Sequence, residues 1–339
     1  MCQIFAIFAL PIANLILKNQ DVYSTKREPW QNFMLLIGLI LVGISVGNLV
    51  AMSIIVGLGA VFNDFTFSQF NQLLRNPQIF VHGWWYLMLL QIFSHSFTFL
   101  VPSLLYWKFA EKHDLTEIIT RPKPSSFLFF CVALLVISFI PINSVIIQWN
   151  NAMHLPVGLG GLEEWMKNKE SELSDLTKYL TDFSSFHKLI VALFVIAVLP
   201  TIGEEVLFRG IIQRKIFNKT QNHHLSIWIA AILFSAIHLQ FYGFVPRMLL
   251  GALFGYLYVW TANLWIPIFA HFVNNGTTLI LFFLAKRNVV TQDIETIEKS
   301  LPTSVILVSL SIFLAILLFL RKNKISTPLP KHSDARQLG

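Results

Sequence analysis

The sequence predicts an all-α fold, a polytopic transmembrane helix bundle of about eight spans. Three observations carry that expectation. The first is composition: of 339 residues, 55% are hydrophobic and 13% charged, with a mean hydropathy of +0.63. A soluble domain carries about a quarter charged residues. Phe alone appears 31 times, more than Lys and Arg together at 25. The second is the placement of charge. The net charge of +7 is carried by basic residues that sit between long apolar runs, so they read as topology signals facing anionic lipid, and nucleic acid is not an expected partner. The third is a series of runs close to the roughly 20 apolar residues that a span needs.

Taken in order, the chain opens with an extension over 1–32. Its stretch Ile4–Leu17 is apolar but lacks a basic n-region and contains Pro11 and Asn14, which argues against a signal peptide and for a short interfacial segment rather than a ninth span. Runs one to three, Phe33–Phe62, Ile79–Trp107 and Phe127–Trp149, form a first group over 33–149, and the first two hold no Asp, Glu, Lys or Arg. The connection over 150–188 is long. Within it Leu173, Leu176, Leu180 and Phe183 recur at helical spacing among Glu170, Glu172, Asp175 and Lys178, which predicts an amphipathic helix on the outer interface, packed as a cover on the bundle or gating a substrate. Runs four to seven, Leu189–Leu207, Leu225–Leu239, Val245–Trp260 and Leu264–Leu284, occupy 189–284. The fifth and sixth are short enough to form a helical hairpin or a tilted pair instead. Val305–Leu320 is the last run, within 285–322, and a polar tail over 323–339 follows. Sixteen of the 25 Lys and Arg fall on the side of the two termini, which predicts that both termini are cytoplasmic. Cys2 and Cys131 make no disulfide framework, and no CxxC exists to hold a metal.

The informative residues are the polar ones inside these runs. Run four reads Leu199-Pro200-Thr201-Ile202-Gly203-Glu204-Glu205-Val206-Leu207-Phe208-Arg209. One carboxylate in mid-span costs about 2.5–3.5 kcal/mol, and two adjacent ones repel. Glu205 and Arg209 stand at i and i+4, in salt-bridge reach on one face. Glu204 points about 100° away and has no partner in its own segment. A buried ion pair that fixes register accounts for Glu205 and Arg209 and leaves Glu204 unexplained. Pro200 and Gly203 weaken the helix just before the acids, and irregular backbone at this depth belongs beside protein or a water-filled cavity. His238 ends run five, and His271 and Asn275 share a face of run seven at i and i+4. A carboxylate, two imidazoles and a carboxamide suit a hydrolytic site. Gln91 and His95, Asn48 and Asn143 read as packing polar groups. One geometric demand follows: with run five starting near Leu225, His238 lies about 20 Å from the inner surface at 1.5 Å per residue, whereas His271 is a turn or two in. The two meet only if run seven starts deeper or run five tilts.

Glu-Glu-x-x-x-Arg (Glu204, Glu205, Arg209), Phe-x-x-x-His (Phe234, His238) and His-x-x-x-Asn (His271, Asn275), in this order on separate apolar helices, resemble the three motifs of the CPBP intramembrane proteases. That family comprises CAAX prenyl endopeptidases and bacteriocin-processing or bacteriocin-immunity proteins, the Abi family. The resemblance covers roughly Leu189–Leu284. It implies an eight-helix protease of the bacterial inner (cell) membrane, with a site opening toward the cytoplasm and a peptide or protein substrate that is CAAX-like, lipidated or otherwise membrane-associated. By motif position, Glu204 activates water, His238 assists it, His271 and Asn275 stabilise the oxyanion, and Glu205 and Arg209 support them. HExxH is absent, yet Glu204, His238 and His271 could together hold Zn²⁺. The metal-dependent and metal-free readings both stay open. A non-proteolytic scaffold or immunity factor of the same fold is the alternative; a proton- or ion-coupled transporter is disfavoured because no second half repeats the acidic motif.

Overall fold

Seven of the eight apolar runs become helices long and apolar enough to cross a membrane. The structure, a computed structural model, describes residues 29–112, 124–289 and 301–324. The Ile4–Leu17 extension, Cys2, the basic residues Lys18, Lys26, Arg27, Arg121, Lys123, Lys331 and Arg336, and the tail beyond Lys324 lie outside the described residues. The chain divides into two units, 1–38 and 39–339. The described part of the first, residues 29–38, is the start of α1 (Pro29–Val61), whose remainder belongs to the second.

The second unit continues with α2 (Gly83–Ala110), α3 (Ser126–Asn151), α4 (Gly160–Thr181), α5 (Phe186–Thr220), α6 (His223–Ala236), α7 (Phe244–Thr261), α8 (Trp265–Lys286) and α9 (Thr303–Lys322). The protein is an integral membrane protein with an all-α, polytopic architecture. α6 is the short one. Its 14 residues cover about 21 Å, less than the roughly 30 Å of hydrocarbon. Run five was expected to reach Leu239, but the backbone tightens to i→i−3 bonds at His238 and Leu239, and Leu239 turns left-handed at φ 53°. His238 therefore sits in the turn between α6 and α7 rather than on a span.

α6 and α7 form the hairpin that their lengths suggested, and their contact is the most extensive between any two elements. Small residues allow it: a Cβ on Gly251 would meet Ala231 Cβ at 3.3 Å, and one on Gly255 would meet Ile227 Cγ2 at 2.9 Å. The turn is pinned from outside. The buried Asn150 side chain donates to Phe241 O (3.1 Å) and accepts from Val245 N (2.9 Å), and Ser235 Oγ donates to Phe244 O (2.6 Å).

Two apolar clusters flank the site. One joins α3, α7, α8 and α9 through Leu135, Phe139, Phe254 and Ile266; the other joins α2, α4, α5 and α8 through Trp84, Leu180, Val195 and Phe283. α8 contributes to both. The predicted amphipathic helix is α4: Leu180 is buried, Leu173 and Leu176 are half-buried, and Phe183 is buried just past its end. Trp84 Nε1 donates to Leu180 O at 3.0 Å, which ties the cover to α2. At the other end of α4, Glu163 accepts from His154 Nδ1, Lys167 Nζ and Leu155 N, and these bonds hold its carboxyl down at about 2. Within α4 the expectation needs one correction. Glu170 does not belong to the solvated face with Glu172 and Asp175; it is half-buried and turned inward. Asn48, expected to be a packing group, is exposed on α1.

Candidate active site

The backbone around the acid pair is irregular, as Pro200 and Gly203 suggested. Leu193–Val198 and Val206–Gln213 are π-helical, so Glu204 and Glu205 sit between two widened stretches of α5. Such stretches free backbone groups and re-aim side chains. Gly203 marks a close crossing, because a Cβ there would meet Phe99 Cβ of α2 at 3.1 Å.

The two glutamates separate as their angular offset requires. Glu205 Oε1 accepts from Arg209 Nη1 at 2.8 Å and also from His271 Nδ1 at 2.9 Å. Arg209 Nη2 donates to Gly251 O at 2.7 Å, and one turn on, Gln213 Nε2 donates to Gly255 O at 3.2 Å. One face of α5 is thereby bolted to α7. The Arg209 guanidinium stacks over the rings of Phe234 (5.0 Å) and Phe254 (5.6 Å). The charge is buried with a counter-ion, a carbonyl and two ring faces around it. The direct Glu205–His271 bond was not evident from sequence, where only the i, i+4 partner could be read.

Glu204 forms no hydrogen bond of this kind. His271 approaches it, with Nε2 at 3.9 Å from Glu204 Oε2. His271 thus bridges the pair, Nδ1 toward Glu205 and Nε2 toward Glu204. Its ring stacks on Phe254 (5.1 Å) and meets Phe234 edge-on (5.7 Å). His238 packs on the same Phe234 ring at 5.2 Å, and its Nδ1–H donates to Phe234 O at 2.8 Å, which leaves Nε2 as its acceptor. Phe234 is the spacer between the two imidazoles. The two imidazoles do meet, both against the Phe234 ring in one cavity, although α8 starts at Trp265, no deeper than the sequence suggested. Asn275 Oδ1 accepts from Asn274 Nδ2 at 3.1 Å, so the Asn275 amide nitrogen keeps its donor capacity.

Glu204, His238, His271 and Asn275 all line one cavity of about 500 Å³. Sequence reasoning missed several of its walls. Gln91, His95 and Asn143, expected to be packing groups, line it too, and His95 Nδ1 and Asn143 Oδ1 are buried without a partner among the described residues. Arg247 and Phe254 of α7 and Glu170 of α4 were not singled out for the site. Burial pushes the Glu170 carboxyl up from its ordinary value, against the pull of Arg247. No local pattern marks these residues, since what unites them is the packing of seven helices, α2 to α8, around one space.

The cavity extends from the acid pair to Asn151 and Thr177, both exposed, and to the α6–α7 turn, which Asn150 holds at the end of α3, so it opens at the end of the bundle where the 150–188 segment lies. As for a metal, among the described residues no group of three or more His, Cys, Asp or Glu side chains is gathered closely enough to hold an ion. Glu204, His238 and His271 as placed form no such group.

Comparisons with known proteins find relatives over part of the chain. The chain is 30% identical over 115 residues to the uncharacterized protein YpbD of Bacillus subtilis, covering 32% of this chain and 56% of that protein. It is 29% identical over 103 residues to the membrane-embedded CAAX protease MroQ of Staphylococcus aureus, covering 29% of this chain and 41% of that one. The chain thus spans about half the length of the curated relatives it matches. No solved structure matches it. Over residues 186–277 the chain matches the family described as Type II CAAX prenyl endopeptidase Rce1-like, the resemblance its motifs carried, and that segment contains every motif residue from Glu204 to Asn275.

Proposed function

We propose that this protein is an intramembrane endopeptidase that hydrolyses a peptide bond of a membrane-associated substrate, CAAX-like or other, with Glu204 as the base that activates water. The observation that carries the reading is the division of labour between adjacent acids. Glu205 Oε1 is held by Arg209 and His271, while Glu204 is buried, has no hydrogen bond among the described residues and faces a cavity of about 500 Å³ lined by His238, His271 and Asn275.

The step follows from these positions. Water attacks the carbonyl carbon and gives its proton to the Glu204 carboxylate, with the His238 Nε2 lone pair orienting the water. Negative charge gathers on the carbonyl oxygen, where the Asn275 amide and His271 donate; fixed donors are most effective at such a point in a dry site. With Nδ1–H held by Glu205, donation from His271 Nε2 uses the imidazolium. Collapse of the intermediate breaks the C–N bond, and Glu204 returns the proton to the leaving amine.

The test compares wild type with Glu204→Gln on a quenched peptide library, with and without a prenyl group, and assays the same preparation for zinc. Cleavage by wild type alone supports the reading, and the zinc stoichiometry separates the metal-dependent from the metal-free route. Equal cleavage by both proteins overturns the role of Glu204. Retention of the cellular function in Glu204→Gln would favour a scaffold. The Lys and Arg distribution supports cytoplasmic termini in a bacterial inner membrane, which puts the cavity mouth on the outer face. A Thr177→Cys reporter without Cys2 and Cys131 should then react with an impermeant maleimide added from outside; labelling only from the cytoplasmic side reverses the topology.

A further inference from the structure

We propose that Arg247 is a specificity residue that holds a carboxylate of the substrate in the cavity it shares with Glu204; the inference rests on the proteolytic reading above. Arg247 stands in the first turn of α7 and lines that cavity. Its Nη2 donates to Gln240 Oε1 at 2.6 Å. Its Nη1 is buried and has no hydrogen-bond partner among the described residues. The contrast with Arg209 is direct, because both terminal nitrogens of Arg209 are taken, by Glu205 and Gly251 O.

The nearest acid on the wall does not close the account. Glu170 Oε1 meets the far end of Gln240, Nε2, at 3.4 Å, so a neutral amide stands between the acid and the guanidinium, and no ion pair within 4.0 Å joins them. A buried guanidinium whose nearest acid reaches it only across a neutral amide keeps a nitrogen to offer, and charges of this kind within a helix bundle of the membrane mark substrate paths. A guanidinium fork prefers a planar carboxylate over a carbonyl, with two charge-assisted bonds available. Its placement is built in: a Cβ on Gly243 would stand 2.8 Å from Arg247 Nη2, so the glycine leaves the space in which the guanidinium lies. The carboxylate could be the free carboxyl terminus of a peptide or an Asp or Glu side chain near the scissile bond.

The experiment uses the full chain in nanodiscs, carrying Glu204→Gln so that binding is read without turnover. The probes are one fluorescent apolar pentapeptide in three forms: free acid, carboxamide, and carboxamide with an internal Asp. Anisotropy should show one of the two anionic forms binding at least tenfold tighter than the neutral amide, and which of them does so identifies the source of the carboxylate. Adding Arg247→Gln should collapse that ratio to about one, and Arg247→Lys should retain part of it. Gly243→Ala should reduce it without removing any charge. Equal binding of all three peptides, no binding of any, or a preference that survives Arg247→Gln in a protein that elutes and melts like the parent overturns the inference. Cleavage of the same peptides by the protein with Glu204 intact is scored separately. Turnover without acid preference fails Arg247 and leaves the protease standing, and acid-selective binding without turnover does the reverse.

Discussion

Helices α5 and α9 are both apolar spans, yet they occupy opposite situations. In α5, 56% of the most apolar stretch is buried within the protein; in α9 only 6% is. α9 carries no charge from Thr303 to Leu320, and its Ser311 hydroxyl spends its bond on the helix's own Leu307 O. α5 carries Glu205, Arg209 and Gln213 at successive turns of one face, each reaching α7 or α8. Hydropathy decides that both helices enter the bilayer. It says nothing of which one is inside the protein. The polar residues say that, because lipid offers them no partner.

The sharpest break in the comparison comes from the acids themselves. Glu204→Gln should abolish measurable cleavage, since a positioned base contributes about 10²–10⁴-fold in rate. Its thermal unfolding should stay close to that of wild type, because no hydrogen bond is lost with the charge. Turnover on the quenched peptides and a melting curve, taken on one preparation, separate the two effects.

Next in size is Arg209→Met. Removing one partner of a buried pair leaves the other charge uncompensated at a cost of about 3–5 kcal/mol, here the carboxylate of Glu205. Adding Glu205→Gln should recover much of that loss, and the cycle over the four proteins reads the coupling. A double variant no better than Arg209→Met alone would mean that the guanidinium acts through Gly251 O and the two Phe rings instead.

A smaller effect is expected at a glycine. Gly255→Ala puts a Cβ 2.9 Å from Gln213 Oε1 and Ile227 Cγ2, and overpacking of this kind costs about 1–3 kcal/mol. Gly57→Ala on α1, with nothing within 4 Å, should instead be neutral or stabilising by up to about 1 kcal/mol, because Gly is the poorer helix former. Equal effects at the two positions would mean that the α6–α7 contact is looser than these distances imply.

The span pattern was legible because it depends on composition over some 20 residues at a time; α3, expected over Phe127–Trp149, runs Ser126–Asn151. The division of the glutamates was legible because it depends only on the 100° step of one helix. What failed depends on neighbours distant in sequence. The hydropathy of run five continues through Leu239, and nothing local reports that Asn150 of α3 pins its turn. The partner of Glu205 on α8 lies 66 residues away. Gln91, His95 and Asn143 look like the interhelical hydrogen-bonding groups common in spans, and only the shared cavity distinguishes them. Nothing local marks Arg247, since the number of its nitrogens left without partners is a property of packing.

The smallest effect belongs to α9, and it is the one that tests the comparison most directly. Leu314 is 45% exposed on a helix that packs mainly against α3. In water, losing a side chain of this size from a core costs about 2–5 kcal/mol, because solvent and cavity terms both penalise it. In a bilayer, lipid tails are as apolar as Leu, so no hydrophobic drive holds that face, and chains can fill what the side chain vacates. Leu314→Ala should therefore shift unfolding by less than about 1 kcal/mol, within the range usual for changes away from packed features. Leu257→Ala on α7, buried and central to the cluster that joins α3, α7, α8 and α9, should behave like a core residue in a soluble protein. Unfolding of both variants in the same nanodiscs is the measurement. If Leu314→Ala costs as much as Leu257→Ala, α9 packs against something besides lipid in the membrane, and its exposed face is an interface.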